Sequence, residues 1–183
     1  MAVLSKVKRY KEAELDLDEL ARKAQLVLNR KPFLWQLEVA EAILCGEDVI
    51  VDVGTGSGKT LCFTLPLLAD GAEDDIILTV SPLTALMIDQ ANTSQLPTVA
   101  VCAEIIAKVG LEQLYKDIIC GRFRQVLVSP EVATSSSFNT AILQKAEFYS
   151  RLRAVCIDEA HCISLWGGSF RPDYADLGVL RGR

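Results

Sequence analysis

From Pro32 onward the chain alternates between short apolar runs rich in β-branched residues and longer stretches with helical spacing. The runs are Asp48–Val53 (DVIVDV), Ile76–Val80 (IILTV), Thr98–Ala103 (TVAVCA), Gln125–Ser129 (QVLVS) and Ala154–Asp158 (AVCID). Helix-like stretches lie between them, at Lys59–Leu68, Leu83–Asn92, Leu111–Ile119 and Ala141–Tyr149. A strand that is apolar throughout is buried on both faces. Five such strands separated by helices predict an α/β fold, a mostly parallel sheet with helices on both sides. Turn residues at Gly46, Gly71, Pro97 and Gly121 agree, and Thr134–Asn139 (TSSSFN) predicts a polar loop within the domain.

The first 30 residues have a different texture. Lys6, Lys8, Arg9 and Lys11 precede Glu12, Glu14, Asp16, Asp18 and Glu19, with Leu15, Leu17, Leu20, Ala24 and Leu28 among and after them. This pattern predicts an amphipathic helix with an acidic first turn, favoured by the helix dipole. Residues 1–30 are therefore expected as a helical extension, and 31–183 as one lobe.

Composition narrows the function classes. A chain of 183 residues, half of them hydrophobic, can bury one substantial core. Its net charge of −5 excludes adhesion to nucleic acid by bulk charge, so any such contact must be local. No apolar run of about 18 residues or signal-peptide core is present, which predicts a soluble intracellular protein without membrane contact, nuclear if eukaryotic and otherwise cytoplasmic. The six cysteines form no C-x-x-C pair and sit mostly in apolar runs, the pattern of reduced thiols rather than a zinc site.

The candidate chemistry begins after Asp48–Val53, with Gly54, Thr55, Gly56, Ser57, Gly58, Lys59 and Thr60 leading into a helix. Glycines let phosphate oxygens approach backbone N–H groups. Lys59 is placed to reach terminal phosphates, and the Thr60 hydroxyl to ligate magnesium. The reading is a nucleoside triphosphate with Mg2+; the plain alternative is a glycine-rich packing turn. Val53 stands where the full phosphate-loop pattern has a glycine.

A second candidate lies at Arg153–Cys162 (RAVCIDEAHC), an apolar strand ending in two acids. In a parallel sheet this is expected to put Asp158 beside the strand carrying the phosphate loop, holding hydrated magnesium, with Glu159 polarising the attacking water. The plain alternative is an acid capping the next helix.

Cys156–Arg181 (CIDEAHCISLWGGSFRPDYADLGVLR) resembles the second motif and aromatic-rich loop of RecQ-like superfamily 2 DNA helicases. Ser164, Trp166, Gly167, Phe170, Arg171, Pro172 and Tyr174 stand at matching places. Ser81–Gln90 (SPLTALMIDQ) resembles that family's Ia motif, Leu127–Ala133 (LVSPEVA) its Ser/Thr-Pro-Glu motif, and the TGSGKT loop its phosphate loop. Together these span about Lys31 to Arg183. The resemblance implies the first RecA-like lobe of an ATP-dependent, 3′–5′ DNA helicase, using ATP and Mg2+ and binding single-stranded or forked DNA. It implies adenine recognition by Gln36, relay by His161, and a groove for the nucleic-acid backbone along Ser81, Pro82, Thr84, Ser129 and Pro130. It further implies DNA contact through Trp166 and Phe170, whose faces can stack on bases, and Arg171.

Two departures stand out. Phe33 occupies the place of the family's arginine ahead of Gln36, and Gly168 and Ser169 replace a His-Asp pair. A two-lobed motor also needs a second lobe with an arginine finger, expected to be absent here and supplied, for activity, by another chain. Two other readings stay open: a non-catalytic nucleotide- or nucleic-acid-binding module derived from such a lobe, and a DEAH-type RNA helicase lobe, which the aromatic loop disfavours.

Overall fold

Four of the five apolar runs join one sheet and the fifth stays outside it. The computed structural model describes residues 7–54, 56–161 and 176–180. Strands β1 (Ile76–Val80), β2 (Thr98–Val101), β3 (Gln125–Val128) and β4 (Leu152–Ile157) run parallel in the order β2-β3-β1-β4. Val80 aligns with Val128 and Ile157, and Val101 with Val128, so the strand ends are level. Helices pack on both faces, giving the α/β lobe that the pattern predicts.

Period-two alternation splits the core between those faces. On one side Ile76, Leu78, Val80, Val126 and Val128 meet Leu114 and Ile118 of α6 (Leu111–Ile119), together with Phe138 and Phe148. On the other, Ile77 and Cys156 pack on Leu67, while Ala100 and Leu127 pack on Met87 of α4 (Thr84–Thr93). Each large apolar side chain buried this way contributes about 1.5–3 kcal/mol.

Asp48–Val53, expected as a central strand, forms none, and Ile50 is 97% exposed. Its composition suits a strand, but a strand exists only where a neighbour accepts its N–H and C=O groups. Among the described residues β4 pairs with β1 alone and forms a sheet edge. Other differences have local causes. Lys59–Leu68 divides into α3 (Lys59–Cys62) and a 3₁₀ turn (Leu65–Leu68) that contains Pro66, which lacks a donor. The β2 run stops at Val101, and a helix not anticipated there, α5 (Ala103–Val109), follows. Thr134–Asn139 is mostly helical rather than looped: Thr134 ends one short helix with Oγ1 donating back to Pro130 O (3.0 Å), and Ser135, itself extended, caps the next, its Oγ accepting from Phe138 N (3.2 Å). The predicted helix at 141–149 starts as a π turn (Asn139–Leu143) and resumes at Ala146–Tyr149.

The amphipathic helix of the extension is present as α1 (Leu17–Leu28), capped by Asp16, whose side chain accepts from Glu19 N (2.9 Å). Leu20, Ala24 and Leu28 face Leu37 and Ala40 of α2 (Leu34–Cys45). A buried ion pair fastens this region to the foot of β4. Arg153 donates from Nε and Nη2 to Asp75 Oδ2 (2.7 and 2.5 Å), and from Nη1 to the carbonyls of Lys8 (2.7 Å) and Leu44 (3.5 Å). Burial pushes the Asp75 carboxyl above its usual range, and the Arg153 guanidinium opposes that rise.

The thiols make a pH-dependent prediction. Burial pushes Cys62 up to about 11 and Cys156 to about 12, while Cys120 is exposed. At pH 8 iodoacetamide is expected to label Cys120 well before Cys62 or Cys156, read by peptide mass mapping of native against unfolded protein. The sign for stability follows: both thiols are neutral in the fold, whereas the unfolded chain ionises near 9.0, so their contribution is whole below that value and is lost as pH rises through about 11 for Cys62 and about 12 for Cys156.

Candidate nucleotide site

The loop after Val53 is shaped by two glycines. Gly56 has φ 81° and Gly58 φ 84°, a left-handed region that other residues enter only at a cost. A methyl group on Gly58 would also stand 2.9 Å from Gln36 Nε2. Gln36 is 2% exposed, and its carboxamide joins α2 to the loop: Oε1 accepts from Phe33 N (2.8 Å) and Nε2 donates to Gly58 O (3.0 Å). Lys59 Nζ donates to Val53 O (3.2 Å), so the ammonium bends across the loop it follows. Thr60 is exposed in the first turn of α3, and Thr55 lies outside the described residues.

A cavity of about 650 Å³ opens beside this loop, bounded by Arg30, Phe33, Gln36, Gly56, Thr60 and, at its floor, Thr79 of β1. Its floor is polar. Gln125 Nε2 donates to Thr64 Oγ1 (2.9 Å), and Thr98 Oγ1 donates to Gln125 Oε1 (3.0 Å). The hydroxyls of Ser57 and Thr79 are buried without a partner among the described residues. Unsatisfied polar atoms, glycine-opened backbone and the cationic side chains of Arg30 and Lys31 around one cavity fit a phosphate-bearing ligand. The sequence reading passed over Thr79, although a threonine inside the apolar run IILTV was a visible signal.

The second cluster is built on β4 and β1. Asp158 N donates to Val80 O (2.9 Å), and Ser81 Oγ donates to Asp158 Oδ2 (3.5 Å). Asp158 therefore stands beside β1, not beside a strand carrying the phosphate loop, because Asp48–Val53 is outside the sheet. Glu159 has φ 53° and donates its N–H to Asp158 Oδ1 (3.0 Å), and its carboxylate Oε2 lies 3.1 Å from His161 Nδ1. The two clusters share a scaffold, since Thr79 on the cavity floor precedes Ser81 by two residues.

Of the residues expected along a nucleic-acid groove, Thr84 is exposed and Pro82 half-buried, while Ser81, Ser129 and Pro130 are buried. Trp166, Phe170 and Arg171 lie outside the described residues, as do Gly168 and Ser169. Among the described residues no helix is long and apolar enough to cross a membrane.

Comparison with known proteins places the chain in a family. The DEAD/DEAH box helicase family model matches residues 34–181. The chain is 39% identical over 150 residues to the ATP-dependent DNA helicase RecQ of Haemophilus influenzae, covering 80% of this chain and 23% of that protein. It is 41% identical over 143 residues to the ATP-dependent DNA helicase Q5 of Mus musculus, covering 75% of this chain and 14% of that protein. It is 34% identical over 153 residues to the ATP-dependent DNA helicase Q1 of Rattus norvegicus, covering 80% and 24% respectively. The chain thus spans less than a quarter of the length of each of these relatives. It belongs to the DEAD/DEAH box helicase family, as a RecQ-like first lobe of RecA-like fold.

Proposed function

We propose that this chain is the ATP-binding lobe of an ATP-dependent DNA helicase, taking ATP with Mg2+ and contacting single-stranded or forked DNA, with 3′–5′ movement in the complete motor. The observation that supports this best is the loop with left-handed Gly56 and Gly58, which with Thr60 borders a cavity holding orphaned hydroxyls and runs directly into Lys59.

The proposed roles follow from chemistry. Magnesium bound with the triphosphate neutralises oxygen charge and fixes the phosphate chain. Thr60 and Asp158 would hold that ion. Lys59 carries the compensating charge for terminal phosphates, and the N–H groups around Thr55, Gly56, Ser57 and Gly58 cradle them. Gln36 serves the nucleotide by bracing Gly58. Glu159 orients water and takes up its proton, with His161 as its neighbour in the relay. Ser81, Pro82, Thr84, Ser129, Pro130, Trp166, Phe170 and Arg171 form the proposed DNA side by resemblance, and a second lobe on another chain is the partner a full motor needs. Presence in the nucleus or cytoplasm belongs to the same proposal.

Displacement of a fluorescent ATP analogue by Mg·ATP tests the reading. Binding at micromolar to millimolar ATP is expected, and Asp158→Asn is expected to weaken it about tenfold when magnesium is present and little when it is chelated. A chain that takes no nucleotide at any magnesium concentration refutes the proposal. A second reading, a binding module without turnover, draws on the Asp48–Val53 segment lying outside the sheet. Single-stranded-DNA-stimulated ATPase assays separate the two: a motor lobe loses turnover in Glu159→Gln, while a module has none to lose.

A further inference from the structure

The helix that carries Lys59 and Thr60 is a single turn, α3 (Lys59–Cys62), and a turn that short does not fix its own direction. Left-handed glycines precede it, and a 3₁₀ turn containing Pro66 follows within a few residues. Its aim therefore depends on contacts from other elements. Gln125, the first residue of β3, supplies one at the far end of the turn: it is 6% exposed, and its Nε2 donates to Thr64 Oγ1 (2.9 Å) and Phe63 O (3.5 Å). Thr64 Oγ1 donates in turn to Thr60 O (3.4 Å). The oxygen of the same carboxamide is anchored as well, accepting from Thr98 Oγ1 of β2 (3.0 Å) and from Ser94 Oγ at the end of α4 (3.3 Å). An apolar side chain of similar volume would fill this space and tie neither end. The amide thus links two strands of the sheet to the turn that bears Thr60.

We infer that Gln125 is a positioning residue for the nucleotide site: acting through Thr64, it holds α3 so that the Thr60 hydroxyl stands where the magnesium of Mg·ATP is taken. The inference rests on the proposed nucleotide site and adds to it a residue that works there through another. Groups that orient a metal's ligand raise its affinity by about ten- to a hundredfold, because a ligand already aimed loses no freedom on binding. The effect is confined to the metal-dependent part of binding, which separates positioning from a general contribution to the fold.

Affinity of the full 183-residue chain for a fluorescent ATP analogue, measured with magnesium and again in EDTA, tests it in Gln125→Leu, in the isosteric Thr64→Val and in the two combined. Each single variant is expected to lose about tenfold with magnesium and less than about twofold in EDTA. The double variant is expected to lose no more than Gln125→Leu alone, since both changes remove one and the same bond. Thr64→Ser keeps the hydroxyl and is expected to bind like the wild type. Equal losses with and without magnesium overturn the inference, because they show the amide to be structural only; losses that multiply in the double variant overturn it too. Should Gln125→Leu fail to fold, the contrast of Thr64→Val with Thr64→Ser decides by the same magnesium ratio. Wild-type binding with every variant unaltered refutes this inference alone, whereas a wild-type chain that takes no nucleotide refutes the nucleotide reading first and this one with it.

Discussion

Lys59→Ala is expected to lower affinity for Mg·ATP by about a hundredfold, measured by isothermal titration, while the melting temperature without nucleotide stays within a degree or two. The two halves of this expectation come from one geometry. Among the described residues the Lys59 side chain makes one hydrogen bond, from Nζ to Val53 O at 3.2 Å, at a half-buried position. The net contribution of such a bond to the fold is small at this half-buried position, because water replaces the ammonium once it is gone. Toward a phosphate the same ammonium makes charge-assisted bonds worth about 1.5–3 kcal/mol each, which a methyl group cannot replace. A variant that binds ATP like the wild type would remove the phosphate loop from the site; a variant that fails to fold would show the Val53 contact to be structural.

Arg153→Ala is expected to act on stability, by about 3–5 kcal/mol in urea unfolding, the cost of leaving a buried carboxylate without its partner. Asp75 is 6% exposed and its desolvation already opposes ionisation, so removal of the guanidinium leaves a charge with little solvent to receive it. The carbonyls of Lys8 and Leu44 lose a donor in the same step, which couples the extension to the sheet. The double variant Arg153→Met with Asp75→Asn is expected to recover much of the loss, because a neutral pair has far less desolvation to bear. Additive losses in the double variant would show that Arg153 acts through its carbonyl contacts rather than through Asp75.

The sequence was legible where chemistry is local. IILTV and QVLVS contain their own evidence for burial on both faces, and both are strands in the middle of the sheet. DVIVDV is likewise rich in β-branched residues, though it carries Asp48 and Asp52, and is not a strand, because pairing depends on what lies beside it. The acids of IDEAH were readable as a cluster, yet one partner of Asp158, Ser81, stands 77 positions earlier and is brought near by the β1–β4 ladder. Gln36 was readable as a site residue, whereas its two bonds to Phe33 N and Gly58 O depend on how α2 meets the loop. Thr79 and Gln125 break apolar runs in plain view, and the shared cavity floor appears only once β1 and β3 lie side by side. The hydroxyl-rich TSSSFN was misread for a different reason: serine and threonine favour loops and helix caps alike, and here they cap.

Glu159 keeps a non-glycine backbone in a region that costs of order 1–3 kcal/mol. Selection for folding alone would drift this position toward glycine or asparagine, and a library screened only for thermostability should enrich for them. Such winners would be tougher proteins with the carboxylate beside Asp158 missing. Robustness and chemistry therefore pull in opposite directions at a single peptide unit, and consensus-style stabilisation of this lobe has to leave that residue alone.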